Sequence, residues 1–297
     1  MKSQPVKGQP VSHPLFPPRP IALLAGLLAL ATGPGCLAYN EECQAFVDNP
    51  REVIGHLEEE VYIDKPNARH ANNAIAQLAA DAFLHSADDT GFPAVFSVIN
   101  GGNIRAEGVC ITRTTLPPGP LKKGVLHEAL PFNNSVLALD LTRREIRELM
   151  EQSVGELARQ GEPILNPPGN FLHLAGGSME VDCSKPGGQK CELSQSCRVT
   201  RLTAGGRDML FGDPNERFRV ALTRFLVTSG FGSSDILEGL DQDASRNPIF
   251  ASRQGGIDVR LAEQYMRDHY GLDGPGLKVE PDRIKFVNCA TPPRPAG

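Results

Sequence analysis

Asn100-Gly101-Gly102-Asn103-Ile104-Arg105 follows directly on the apolar run Ala94-Val95-Phe96-Ser97-Val98-Ile99 and is the segment best equipped to touch a ligand. A buried strand running into a glycine turn would hold the guanidinium fork of Arg105 where it can grip a carboxylate or phosphate. The paired glycines would allow positive φ and close backbone approach. The alternative is a tight turn with a merely solvated arginine. No G-x-S-x-G elbow, P-loop or dinucleotide fingerprint follows a strand, so the serine-hydrolase, NTPase and Rossmann classes lack support. Glu58-Glu59-Glu60 and Asp88-Asp89 read as solvated charge runs rather than general acid–base pairs. The histidines, at positions 13, 56, 70, 85, 127, 173 and 269, lack ligand spacing and read as surface or core residues.

Alternating helices and strands must position that turn. Ile75, Leu78, Ala79, Ala82 and Phe83 form one apolar stripe, predicting a helix from about Asn72 to His85 that packs on a sheet. Val136-Leu137-Ala138-Leu139 reads as a buried strand. After it, Thr142-Arg143-Arg144-Glu145 forms a capping box for a helix lined by Ile146, Leu149, Met150 and Val154. Later strands are expected at Phe171–Leu174, Met179–Asp182, Arg198–Leu202 and Phe218–Leu222, and Asp258 is expected to cap a last helix reaching Tyr270.

A chain of 297 residues with 40% hydrophobic content can build one sizeable core, and no internal linker or repeat divides it. The net charge of −5 argues against a nucleic-acid partner. Lys2, Lys7 and Arg19 precede an apolar stretch, Ile21 to Ala31, too short to span a bilayer, which reads as a secretory signal. Gly33-Pro34-Gly35-Cys36 resembles a lipobox, making Cys36 a lipidation candidate; an ordinary cleaved signal is the alternative. The expected organisation is a leader over 1–36, a domain over 37–290 and a disordered tail over 291–297. Lipidation of Cys36 would leave six cysteines, Cys43, Cys110, Cys183, Cys191, Cys197 and Cys289, which can form three disulfides of unspecified pairing in an oxidising compartment. A zinc knuckle at Cys183, Cys191 and Cys197 is the rival, without a C-x-x-C to support it.

Several of these segments, in this order from about Val53 to Tyr270, resemble the C-terminal domain of the 5′-nucleotidase family. Val53-Ile54-Gly55 and Arg69-His70-Ala71-Asn72-Asn73-Ala74-Ile75-Ala76 look like its "IG" strand and R-x-x-E-[ST]-N-x-G helix, and Asn100–Arg105 looks like its NGGGIR turn. Leu130-Pro131-Phe132-Asn133-Asn134, Leu141-Thr142, Gly169-Asn170-Phe171-Leu172-His173-Leu174 and Val220–Leu226 look like its LPFGN, LTG, G-x-FLQV and V-x-x-x-x-F-L segments. The resemblance implies an α+β fold, a mixed sheet with flanking helices. Phe132 and Phe225 would sandwich a base, Asn100 would bond the base or ribose region beside Gly101 and Gly102, and Arg105 and Arg69 would face the phosphate or the interdomain cleft.

In that family a separate N-terminal metallophosphatase domain holds two metals and the catalytic histidine. Neither its D-x-H nor its G-N-H-[ED] signature occurs in this sequence. The expectation is an exported stand-alone domain, periplasmic, outer-membrane-anchored or secreted. It would bind a nucleotide or related phosphorylated ligand without hydrolysing it alone, with no cofactor of its own. Divalent metals would enter only with a metallophosphatase partner, and the membrane only through a lipid anchor. The alternatives are a subunit of a separately encoded metallophosphatase, a degenerate exported module with a different ligand, and an enzyme using the fold for other chemistry. Three departures stand out: Phe231 occupies the place of the ribose-binding aspartate, with Asp235 four residues on, Asn103 replaces the third glycine, and Asn72 and Ala76 replace the helix glutamate and glycine.

Overall fold

Strand β1 (Val53–Leu57) is followed by β2 (Val61–Tyr62), helices α1 (Lys65–His70) and α2 (Ala74–Asp89), and β3 (Phe96–Asn100). Next come β4 (Thr115–Leu116), β5 (Gly119–Lys122), α3 (Lys123–Ala129), β6 (Val136–Thr142) and α4 (Arg143–Val154). The chain continues through β7 (Leu172–Ala175), β8 (Gly177–Asp182), β9 (Val199–Ala204), β10 (Arg207–Asp208), β11 (Arg217–Thr223), α5 (Arg224–Thr228), α6 (Asp258–His269) and β12 (Ile284–Val287). This computed structural model describes residues 47–89, 93–106, 113–187, 197–229, 236–240, 243, 246 and 256–295. The leader, Cys36, Cys43, Cys110, Cys191, Phe231, Asp235 and the side chains of Asp88 and Asp89 lie outside the described residues. No helix among the described residues is long and apolar enough to cross a membrane.

The central sheet has the order β6-β11-β3-β7 and is mixed: β11 runs parallel to β3, while β6 and β7 run antiparallel to their neighbours. Both of its faces are covered. Ile99, Ala175 and Ala221 join the core under α2 and α6; Phe96, Val98, Leu139 and Leu222 join a second core with α4 and the β10-β9-β8-β12 sheet. A strand buried on both faces cannot alternate with polar residues, which is why β3 reads as a continuous apolar run. Its one hydroxyl, Ser97 Oγ, donates to the Ala80 carbonyl of α2 at 2.5 Å.

Local chemistry sets the helix ends. Asn73 Oδ1 accepts from the backbone amides of Ile75 and Ala76 at 3.0 and 3.2 Å and caps α2. The helix runs past His85 to Asp89, because no glycine or proline intervenes before Gly91. The Thr142–Glu145 capping box forms as expected, and Ile146, Leu149, Met150 and Val154 are all buried. Asp258 is not the cap of the last helix. It is the first helical residue after Ile257, and its Oδ1 accepts from the neighbouring Val259 amide at 2.7 Å. Asn72, in the place of the motif's glutamate, donates from Nδ2 to the carbonyls of Ile284 (2.8 Å) and Pro281 (3.1 Å), a donor role no carboxylate could fill.

Cys183, at the end of β8, is disulfide-bonded to Cys289 beyond β12, and Cys197 is disulfide-bonded as well. The zinc-knuckle alternative therefore falls, since Cys183 and Cys197 are not thiols. Residues 291–295 carry no regular secondary structure, and the Pro293 carbonyl accepts from Asn67 Nδ2 at 3.1 Å.

Candidate functional site

Four strand ends meet at one edge of the central sheet. β3 ends at Asn100 and β11, parallel to it, ends at Thr223, so the turn 100–105 and helix α5 with Phe225 emerge together. The antiparallel neighbours enter at that edge: Val136 pairs with Thr223, which puts the preceding Phe132–Asn134 there, and Leu172 pairs with Asn100, which puts Gly169 and Asn170 there. α1 brings Arg69 against the turn. The result is a cavity of about 580 Å³ lined by Arg69, Asn100, Gly102, Asn103, Arg105, Phe132, Asn134, Gly169, Asn170, Phe225 and Ser229. Six of the seven candidate ligand residues line it. The seventh, Gly101, lies in the same turn beneath α1.

The glycines work differently from the sequence expectation. Gly101, Gly102 and Asn103 form one 3-10 turn, and none of them adopts positive φ. What they supply is close approach. A Cβ on Gly101 would overlap the Ala68 carbonyl of α1, and one on Gly102 would lie 2.7 Å from the Gly169 carbonyl oxygen. Backbone amides of Gly101 and Gly102 donate to Phe171 and Gly169 at 2.7 and 2.9 Å, locking the turn to the segment entering β7.

Phe132 and Phe225 are 48% and 45% exposed, so neither is a core side chain. Exposed aromatic faces in a cavity offer stacking surfaces. The Arg105 guanidinium lies over the Phe132 ring, 4.7 Å from its centroid, and donates from Nη1 to the carbonyls of Gly102 and Ile104. Arg69 donates from Nη1 to the Pro167 carbonyl at 3.1 Å. Asn100 donates from Nδ2 to the Gly169 carbonyl at 2.9 Å, while its buried Oδ1, like the buried Asn103 Nδ2 and Asn170 Oδ1, has no partner among the described residues. Orphaned polar atoms cost about 1–3 kcal/mol each, and native proteins concentrate such groups where a ligand or water completes them.

Two buried titratable groups brace the site without lining it. His173, fully buried on β7, bonds through Nε2 to the Ala68 carbonyl at 2.8 Å, and so pins α1 beside Arg69; burial drives its imidazole down to about 4. Asp258 accepts from Asn134 Nδ2 at 3.1 Å and holds that cavity residue in place; burial raises its carboxyl to about 6 against the hydrogen bonds that oppose the shift. His173 is a core histidine, as its lack of ligand spacing implied. Asn103, Asn134, Asn170 and Ser229 were not singled out as ligand residues from the sequence. Three of them lie within or beside quoted motifs, and no local signal marks their side chains as facing the cavity.

Fold and site together define an α+β domain whose cavity combines aromatic faces with arginines. Residues 53–238 match the family described as 5′-nucleotidase, C-terminal domain, and the chain belongs to that family. The trifunctional nucleotide phosphoesterase protein YfkN of Bacillus subtilis is 23% identical over 192 residues, covering 64% of this chain and 12% of that protein. Among solved structures, the 5′-nucleotidase precursor of Thermus thermophilus superposes with a TM-score of 0.62 at 22% identity, covering 84% of this chain and 42% of that one. The NAD nucleotidase NadN of Haemophilus influenzae gives 0.56 at 13% identity, covering 82% and 39%. The chain thus spans less than half the length of each of these relatives.

Proposed function

We propose that this chain is a nucleotide-binding module acting in nucleotide breakdown, taking a nucleotide or a related phosphorylated ligand in the cavity at the sheet edge. The observation that carries the reading is the pair of exposed rings, Phe132 and Phe225, in one cavity with Arg69 and Arg105. Flat π-faces hold a base with little discrimination, guanidinium forks grip phosphate, and the unpartnered Asn100 Oδ1 accepts a donor from the base or ribose region. Phe231, where the family motif has its ribose-binding aspartate, weakens the sugar contact and favours modest affinity. The same departure supports a second reading, a degenerate module whose ligand is a phosphorylated aromatic other than a nucleotide.

Calorimetric titration of the protein with adenosine and AMP tests the primary reading. Phe132→Ala, once shown folded, should weaken AMP binding by roughly 1–3 kcal/mol, the usual worth of base–aromatic stacking. Equal affinity of wild type and variant would show that the ring is not a stacking surface, and absence of binding by any nucleotide would leave the degenerate-module reading.

We propose that this domain does not hydrolyse its ligand alone; among the described residues no group of three or more His, Cys, Asp or Glu side chains is placed to hold a metal ion. Phosphoryl chemistry would come from a metallophosphatase domain or subunit carrying divalent metals, with this domain as its binding part. Purified protein supplied with manganese or zinc should release no phosphate from AMP above background; release that persists through stringent purification would overturn this assignment. Disulfides at Cys183, Cys197 and Cys289 are consistent with an oxidising compartment. The proposed location is the periplasm, the outer membrane through a lipidated Cys36, or the medium.

A further inference from the structure

Arg105 does more in this fold than wait for an anion. Its guanidinium lies over Phe132 at 4.7 Å from the ring centroid, anchored by Nη1 to the carbonyls of Gly102 and Ile104, and both residues line the same cavity. A cation over an aromatic face is attracted by the ring quadrupole, by an amount that rises as water is excluded. One face of the Phe132 ring in the cavity is thus already covered from within the chain.

We infer that Arg105 is the specificity-determining residue of the cavity: it closes Phe132 against uncharged aromatic ligands and yields the ring only to a ligand that brings an anion with it. This rests on the nucleotide-binding reading above. A nucleoside must displace the guanidinium and offers it nothing in return, so the lost cation–π contact offsets the gain from stacking. A nucleotide displaces it too, but its phosphate accepts the guanidinium in a charge-assisted pair stronger than the contact given up. The preferred ligands are therefore flat rings bearing a phosphate or carboxylate, and the ring and anion contacts are coupled through one side chain. A ligand shifts such an equilibrium only by its differential interaction with the two positions of the arginine, and only the anion supplies one.

The coupling has a sign that a simple phosphate-gripping arginine lacks. Arg105→Ala should tighten adenosine binding by about two- to tenfold, the range set by the strength of a cation–π contact, while weakening AMP binding. In the wild-type protein, inorganic phosphate at millimolar concentration should draw the guanidinium off the ring and tighten adenosine by a similar factor. In Arg105→Ala phosphate should do nothing to adenosine. Arg105→Gln, which removes the charge but keeps a polar side chain of similar length, should follow the alanine variant. The phosphate arm uses only wild-type protein and so stands even if a variant fails to fold. AMP binding with adenosine affinity indifferent both to the substitution and to phosphate would place the guanidinium on the unused face of Phe132 and overturn this inference alone. Absence of AMP binding by the wild type would overturn the nucleotide reading, and this inference with it.

Discussion

Removing the Cys183–Cys289 disulfide, by Cys183→Ala with Cys289→Ala, should destabilise the fold by about 2–5 kcal/mol. The bond joins residues 106 apart in sequence, so it forbids the unfolded chain a large set of conformations, and the entropic gain grows with the closed loop. It also sits at the edge of the second sheet. Among the described residues β12 is an edge strand paired with β8, Cys183 donates its amide to the Val287 carbonyl at 2.9 Å just beside the bond, and the segment beyond β12 is tied to Ala158 and Gln160 by backbone bonds. Losing the bond should therefore loosen β12 first, with the Asn72 and Gln77 contacts that tie the preceding segment to α2. Urea denaturation of wild type and double variant measures the cost, and peptide mass spectrometry with and without reduction verifies the pairing. Unchanged stability, or free thiols at both positions in protein made in an oxidising compartment, would refute it.

His173→Gln should flatten the acid side of the stability profile by up to about 3 kcal/mol, the free energy equivalent to moving an imidazole from about 6.5 to the buried value. The buried imidazole holds a pKa of about 4, so between there and the unfolded value the unfolded chain binds more protons than the folded one. Stability contributed by the neutral ring is complete above the unfolded pKa and is lost as the pH falls through that window. Asp258, raised by burial to about 6, acts in the opposite sense, favouring the folded state as the pH falls, so it partly masks the loss in wild type. The informative quantity is the difference between wild type and His173→Gln at each pH. Glutamine can still donate to the Ala68 carbonyl but does not titrate, and it is the residue that the FLQV motif carries at this place. Chemical denaturation across pH 4 to 7 should show the variant gaining on wild type as the pH falls; a difference independent of pH would mean that His173 does not titrate as a buried base.

Much of the fold was legible because its signals are local. The Thr142–Glu145 box, the stripe from Ile75 to Phe83 and the apolar run into Asn100 each depend on residues within a few positions of one another, and each appears in the structure within a few residues of its expected bounds. Two features turn on contacts outside the local sequence. The paired glycines allow positive φ, which the turn does not use; what requires them is the Ala68 and Gly169 carbonyls pressing on it from outside. Asp258 is expected as a cap but is the first helical residue, and Asn134 Nδ2 donates to its carboxylate.

Residue pattern alone fixed several of the longer elements, the family resemblance, and the aromatic and basic residues worth testing, but not the short strands and helices between them. That Arg69, Asn100, Arg105, Phe132 and Phe225 share one cavity was settled by packing. Their convergence follows from the parallel pairing of β11 with β3 and the antiparallel entries of β6 and β7, and strand order and direction are fixed by packing between segments far apart in the chain. No window of neighbouring residues carries that information. The same holds for Arg105 lying on Phe132 and for Cys183 meeting Cys289: the residue types announce what chemistry is available, and the fold alone sets which partners come within reach.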